Sequence, residues 1–253
     1  MARRPVGVIV TITLHDVTIR RGGRDILRGL TGAFRPGSLT AIAGPNGAGK
    51  STLLHAITGL LPIAAGRLDA PADIALLPQE ARLDRGFPIT CRDVVALGGT
   101  SRVGMFRRIG RLDLAAAERA LDAVGLGDLA GRPIGALSAG QFQRVLFART
   151  IVRDAAVILL DEPFAAIDAA TEADLMDIIR RWHREGRTIV AVLHDLELIR
   201  AAFPQTLLLG PDSHAWGPTA DIMTARALRQ AGLRAGLLPV ADGAAVRAVE
   251  EAA

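Results

Sequence analysis

Residues 44–51 read Gly44-Pro45-Asn46-Gly47-Ala48-Gly49-Lys50-Ser51 and match G-x-x-x-x-G-K-[ST] in full. An apolar run, Leu39–Ala43, leads into this segment, and apolar residues at helical spacing (Leu53, Leu54, Ile57, Leu60) follow it. Glycine lets the backbone turn sharply enough for successive amides to point at one centre, and a helix N-terminus adds its positive end. The combination of buried strand, glycine loop and helix builds a cradle for phosphate oxygens. It also restricts the fold, because a strand that runs straight into a helix belongs to a largely parallel sheet with crossover helices. Lys50 is placed to reach the β and γ phosphates, and the Ser51 hydroxyl to ligand Mg²⁺.

The use of lysine points the same way. The chain has 30 basic side chains against 26 acidic ones, a net charge of +4, and Lys50 is its only lysine. A sequence that uses arginine everywhere else has kept a compact ammonium at this one position. The arginines are scattered rather than clustered, so no nucleic-acid face is expected. The lone Cys91 excludes an internal disulfide and suits a reducing compartment. The apolar runs Ala155–Leu160 and Thr188–Leu193 are far shorter than the ~20 residues that cross a bilayer. MARRPVGVIV at the start lacks a long apolar stretch with a cleavage site, so no secretory signal is expected.

Along the chain, alternating apolar residues from Val8 to Ile19, with turn residues at Arg21–Gly23 and Arg35–Ser38, predict short strands over 6–43. Further strands are expected at Ile74–Leu77, Val157–Leu160, Ile189–Leu193 and Thr206–Leu209, alternating with helices. Between Gln79 and Leu137 the strand pattern gives way to helical periodicity, clearest over Leu112–Val124, which predicts a helical insertion at about 80–152. A helix is predicted over Thr171–Arg184 with Thr171 as its N-cap, and another over Gln141–Val152. The fold class is therefore α/β with a mostly parallel core, an N-terminal antiparallel β part and a helical insertion. One domain is expected over 6–217, with an Ala-rich helical tail over 218–253.

Two further segments carry chemistry. The strand at Val157–Leu160 ends in Asp161-Glu162, putting two carboxylates at the edge of the sheet where open α/β sheets bind ligands. Strand alternation points them to opposite faces and so to different tasks, Asp161 toward Mg²⁺ and Glu162 toward an attacking water. Leu137-Ser138-Ala139-Gly140-Gln141 opens a helix and contains S-x-x-Q, which reads as a capping box without any ligand.

Taken together, the phosphate loop, LSAGQ, LLDEP and a histidine in AVLHD resemble the ATPase subunit of an ABC transporter, from about Ile12 to about Trp216. The resemblance implies ATP and Mg²⁺ as cofactors, with ATP held by Gly44–Ser51 and Thr52. It makes Gln79 in LLPQE a ligand of Mg²⁺ that signals to a membrane partner. Ser138, Gly140 and Gln141 become the signature that faces the ATP of an opposing subunit, Asp168 in AAID a contact across the same interface, and His194 the sensor of the γ-phosphate. His15, His55, His183 and His214 match no such pattern. Two positions depart from the family. Ala139 replaces the usual central glycine, and Arg21 stands near where an aromatic residue stacks on adenine, so Arg21 is expected to stack there instead.

FPITCRDVVALG, GALSAGQFQRVLFAR, LLDEPFAAID and RTIVAVLHDLELIR are similar to the ATPases of zinc and manganese importers. The resemblance implies a head-to-tail homodimer at the inner face of the cell membrane, bound to integral-membrane permease subunits and working indirectly with a solute-binding protein. Phe87 and Pro88 are the expected dock for the permease. A soluble ABC ATPase of DNA repair or translation would be expected to carry a long heptad insertion or a second cassette, and this sequence has neither. A regulatory module without turnover would be expected to lack Glu162 or His194, and both are present.

Overall fold

The computed structural model describes residues 11–79, 85–102, 109–211 and 213–233. Its centre is a six-stranded sheet of order β5-β6-β7-β3-β8-β9. The strands are β3 (Leu39–Ala43), β5 (Ile74–Leu77), β6 (Val157–Asp161), β7 (Thr188–Val192), β8 (Gln205–Leu209) and β9 (His214–Pro218). All neighbours pair in parallel except β9, which closes one edge antiparallel to β8. β3, β6 and β7 are buried along their whole length, as strands covered on both faces are.

Alternation divides the core in two. Ile42, Val157, Leu159, Val190 and Val192 face a cluster with α1 (Lys50–Ile57) and the antiparallel sheet β2-β1-β4. That second sheet consists of β1 (Ile12–Arg21), β2 (Arg24–Phe34) and β4 (Ala65–Asp69). Ile158, Leu160, Ala41, Ile189 and Ala191 face the other way, toward the helical part. The helical part contains α2 (Cys91–Ala96), α3 (Arg111–Ala123) and α4 (Ala139–Arg153), with α5 (Ala169–Arg184) packed against the same cluster through Leu175, Ile179 and Trp182. Trp182 stacks on Phe147 of α4 at 5.3 Å between ring centroids. α6 (Leu196–Ala202), α7 (Thr219–Ile222) and α8 (Ala225–Gln230) complete the fold.

The expected central strands are all present, within a residue at each end. β4 and β9 were not anticipated. β4 is largely exposed, and its sequence AGRLD has no apolar alternation to mark it. The N-cap of α5 is corrected: Asp168 caps the helix and its Oδ1 accepts from the Thr171 amide, so Thr171 lies inside the first turn. Beyond Gly217 there are two short helices, α7 and α8. The rest of the expected tail, like Val8, Val10 and part of the insertion, lies outside the described residues.

Candidate functional site

Parallel pairing puts the C-terminal ends of four strands side by side. Leu77 is opposite Leu160, Asp161 opposite Val192, and Val192 opposite Ile42. The segments that follow β3, β5, β6 and β7 therefore share one edge of the sheet, and these segments carry Gly44–Ser51, Gln79, Glu162 and His194.

The loop after β3 is as tight as its glycines require. A Cβ on Gly44 would run into the Leu209 carbonyl oxygen. Gly49 caps α1 in the left-handed region at φ 90°, where a side chain would also meet Ile26 and Leu27 at 2.9 Å. Lys50 is buried and donates to the carbonyls of Gly44 and Pro45, both at 2.9 Å. Burial lowers its pKa, while the nearby carboxylates of Glu162 and Asp161 act to raise it.

Asp161 shares strand parity with Val157 and Leu159, so it faces α1, and its Oδ1 accepts from the Ser51 hydroxyl at 3.0 Å. It is 2% exposed, and burial pushes its carboxyl above the ordinary range despite the Ser51 bond. Glu162 leaves the strand at φ 49° and turns to other partners. Its Oε2 accepts from Gln79 Nε2 at 2.8 Å, and its Oε1 is 2.6 Å from His194 Nε2. The two adjacent carboxylates thus join different networks. One belongs to the phosphate loop, and the other joins the ends of β5 and β7.

A second cluster lies at the start of α4. Ser138 Oγ accepts from the Gln141 amide at 3.2 Å and Gln141 Oε1 accepts from the Ser138 amide at 3.1 Å, a complete capping box. These residues, with Gly140, line an open cleft of about 340 Å³ that is bordered on its other side by Ala166, Ile167 and Asp168. Gly140 is needed there for close approach, because a Cβ would sit 2.7 Å from the Ala166 carbonyl oxygen. Ala139 occupies the first position of α4 and is not among the positive-φ residues, so the absent glycine causes no backbone strain. No hydrogen bond between side chains of the described residues joins this cluster to Lys50, Glu162 or His194. The backbone links them instead: Ala165 donates to the Glu162 carbonyl, and the buried Gln143 of α4 donates to the Pro163 carbonyl at 3.4 Å.

The remaining expected residues divide. Asp168 borders the cleft but its carboxylate caps α5, where the Thr171 amide and hydroxyl hold its pKa low. Pro45, Asn46, Gly47, Ala48 and Thr52 all fall in the loop or the first turn of α1. Arg21 stands exposed at the end of β1, and its neighbour Arg20 is the one engaged, 2.6 Å from Asp25. Phe87 is 62% exposed and Pro88 is exposed beside it. The residue that sequence reasoning passed over is Gln143, and a glutamine inside a helical pattern gives no signal that it is buried.

Similarity to known proteins agrees with this geometry. Residues 27–165 match the family model described as ABC transporter. The chain is 37% identical over 227 residues to the manganese transport system ATP-binding protein MntB of Bacillus subtilis, covering 87% of this chain and 91% of the relative. It is 36% identical over 228 residues to the zinc transport system ATP-binding protein TroB of Treponema pallidum, covering 87% and 86%. Among solved structures, one described as a metal-chelate type ABC transporter in an inward-facing conformation superposes with a TM-score of 0.80 at 28% identity, over 88% of this chain and 89% of that one. A nucleotide-free ATP-binding cassette of an ABC transporter shares the fold at a TM-score of 0.70. On these similarities the chain belongs to the ABC transporter family as an ATP-binding subunit.

Proposed function

We propose that this chain binds and hydrolyses Mg-ATP to drive import of a divalent metal ion, manganese or zinc, through permease subunits at the inner face of a cell membrane. The metal is taken from what the relatives' names say of those relatives. Among the described residues there is no cluster of three or more His, Cys, Asp or Glu that could hold a metal cargo, and no helix long and apolar enough to cross a membrane. Cargo recognition and the membrane path therefore belong to other subunits in this reading.

The cofactors fit the residues present. Gly44 and Gly49 let the loop pack against Leu209, Ile26 and Leu27 where a side chain would collide, and Gly47, at φ 83°, has open space beside it, an arrangement that suits a cradle for phosphates. Lys50 Nζ is held by two backbone carbonyls and can exchange a carbonyl for a phosphate oxygen. Ser51 and Asp161 form the hydroxyl–carboxylate pair that suits a hard cation, with Gln79 at the adjoining strand end. When bound, Mg²⁺ neutralises phosphate charge. Glu162 does the proton work: Gln79 and His194 fix both its oxygens, and each oxygen keeps a lone pair for the proton of an attacking water.

That bridged carboxylate is the observation that carries the proposal. Lys50 is held by Gly44 and Pro45, and Ser138–Gln141 is closed on itself by its capping box; in this reading a second chain placed head to tail supplies its signature to each ATP. The test is light scattering behind size exclusion on Glu162→Gln with and without Mg-ATP. The expected result is a shift from the monomer mass of 26.6 kDa to twice that value, abolished by adding Lys50→Ala. A monomer that binds ATP yet never dimerises would refute the two-chain site.

A further inference from the structure

We propose that Arg85 is a positioning residue that holds the signature turn Ser138–Gln141 in register with the segment Arg85–Phe87. The turn's own capping box fixes its internal shape but not its place in the molecule, and Arg85 adds to its placement through three contacts. Its guanidinium donates to the Leu137 carbonyl at 2.7 Å, immediately before the cap. The same guanidinium lies over the ring of Phe142, in the first turn of α4, with Cζ 4.7 Å from the ring centroid. The Arg85 backbone carbonyl packs against Gly135 so closely that any side chain at 135 would strike it. The main chain and side chain of one residue thus grip both sides of the signature.

The position in sequence gives the grip its meaning. Gln79, bonded to Glu162, and the exposed Phe87 lie either side of Arg85 on one short stretch. Phe87 is two residues from Arg85, so a displacement at Phe87 is carried to Arg85 and from there to the turn it grips. An exposed arginine paired with a carboxylate usually contributes little, because water competes for both charges. Here the acceptor is a backbone carbonyl and the guanidinium lies over an aromatic face, a combination that lysine cannot reproduce in full. The inference rests on the ATPase reading only for its effect on turnover; the mechanical link itself does not depend on it.

The test uses the full chain as wild type, Arg85→Met and Arg85→Lys. In the nucleotide-free protein, amide exchange at Ser138 and Gln141 should rise about tenfold in Arg85→Met, from loss of a charged hydrogen bond and a cation over an aromatic face. Arg85→Lys should fall in between, and exchange in β3 and β6 should stay as in wild type. In Mg-ATP turnover, kcat should drop about tenfold in Arg85→Met with KM and binding of a fluorescent ATP analogue unchanged, since Arg85 does not touch the phosphate loop. Wild-type exchange at Ser138 and Gln141 in Arg85→Met overturns the proposal, as does a uniform rise that includes β3 and β6. Faster exchange with an unchanged kcat also overturns it. A wild-type chain without turnover refutes the ATPase reading instead, and the exchange result then decides the role of Arg85 alone.

Discussion

Gly140→Ala should nearly abolish turnover while leaving the protein folded, and the neighbouring change Ala139→Gly should do little. A Cβ at 140 would lie 2.7 Å from the Ala166 carbonyl oxygen, whereas ordinary carbon–oxygen contact begins near 3.4 Å. About 0.7 Å must be found, and because the obstacle is backbone no rotamer change provides it. Either the first turn of α4 or the 163–168 segment has to move. Alanine in a helix is favoured over glycine by up to ~1 kcal/mol, and overpacking costs ~1–3 kcal/mol, so the net loss is about 1 kcal/mol. For a chain of this size that is a fall in Tm of ~2–4 °C. Displacement of this order at a reacting centre costs up to ~100-fold in rate. Steady-state ATPase assays beside thermal melts separate the two effects. Ala139 begins α4 without a positive φ, so Ala139→Gly should cost at most ~1 kcal/mol of helix propensity and spare kcat. A Gly140→Ala enzyme that turns over like wild type, or an Ala139→Gly enzyme that is the worse of the two, would refute the reasoning.

Three other outcomes follow from the site. Burial raises the Asp161 pKa, so the folded state favours its acid form and the associated stability is lost as pH rises through the folded value. Asp161→Asn should therefore raise the Tm of the nucleotide-free chain at neutral pH. The gain should vanish below the ordinary carboxylate pKa of ~4, while ATPase is lost; melts across pH measure it. Asp168 behaves oppositely. Its pKa is held low by the Thr171 amide and hydroxyl, so its contribution is present above the unfolded pKa and lost as pH falls through the folded one. Asp168→Asn keeps the cap acceptor and should flatten the acid limb of the stability curve, with little change near neutrality. Finally, Phe87→Asp should leave ATP binding intact and uncouple metal uptake in vesicles that contain the permease; equal loss of both would remove Phe87 from the docking surface.

What the sequence made legible follows from where the chemistry sits. The phosphate loop, Asp161-Glu162 and His194 lie at the ends of strands whose apolar runs are unmistakable, so the parallel sheet itself brings them together and little tertiary detail is needed. β4 is largely exposed and β9 only partly buried, and such strands are held by neighbours rather than by an internal pattern. The capping box of Ser138 and Gln141 was readable because its bonds span three residues, and the cap of α5 was misplaced by three residues because both Asp168 and Thr171 are competent caps. Arg85 and Gln143 could not have been found this way. Arg85 is one arginine among many, and its partners Leu137 and Phe142 lie more than fifty residues away in sequence. The separation is itself informative. The residues proposed for chemistry converge on one edge and are placed there by the sheet, whereas a residue proposed to relay position must reach between subdomains. Their identity is decided by packing across the interface, where an arginine, a carbonyl and a ring meet that no local pattern associates.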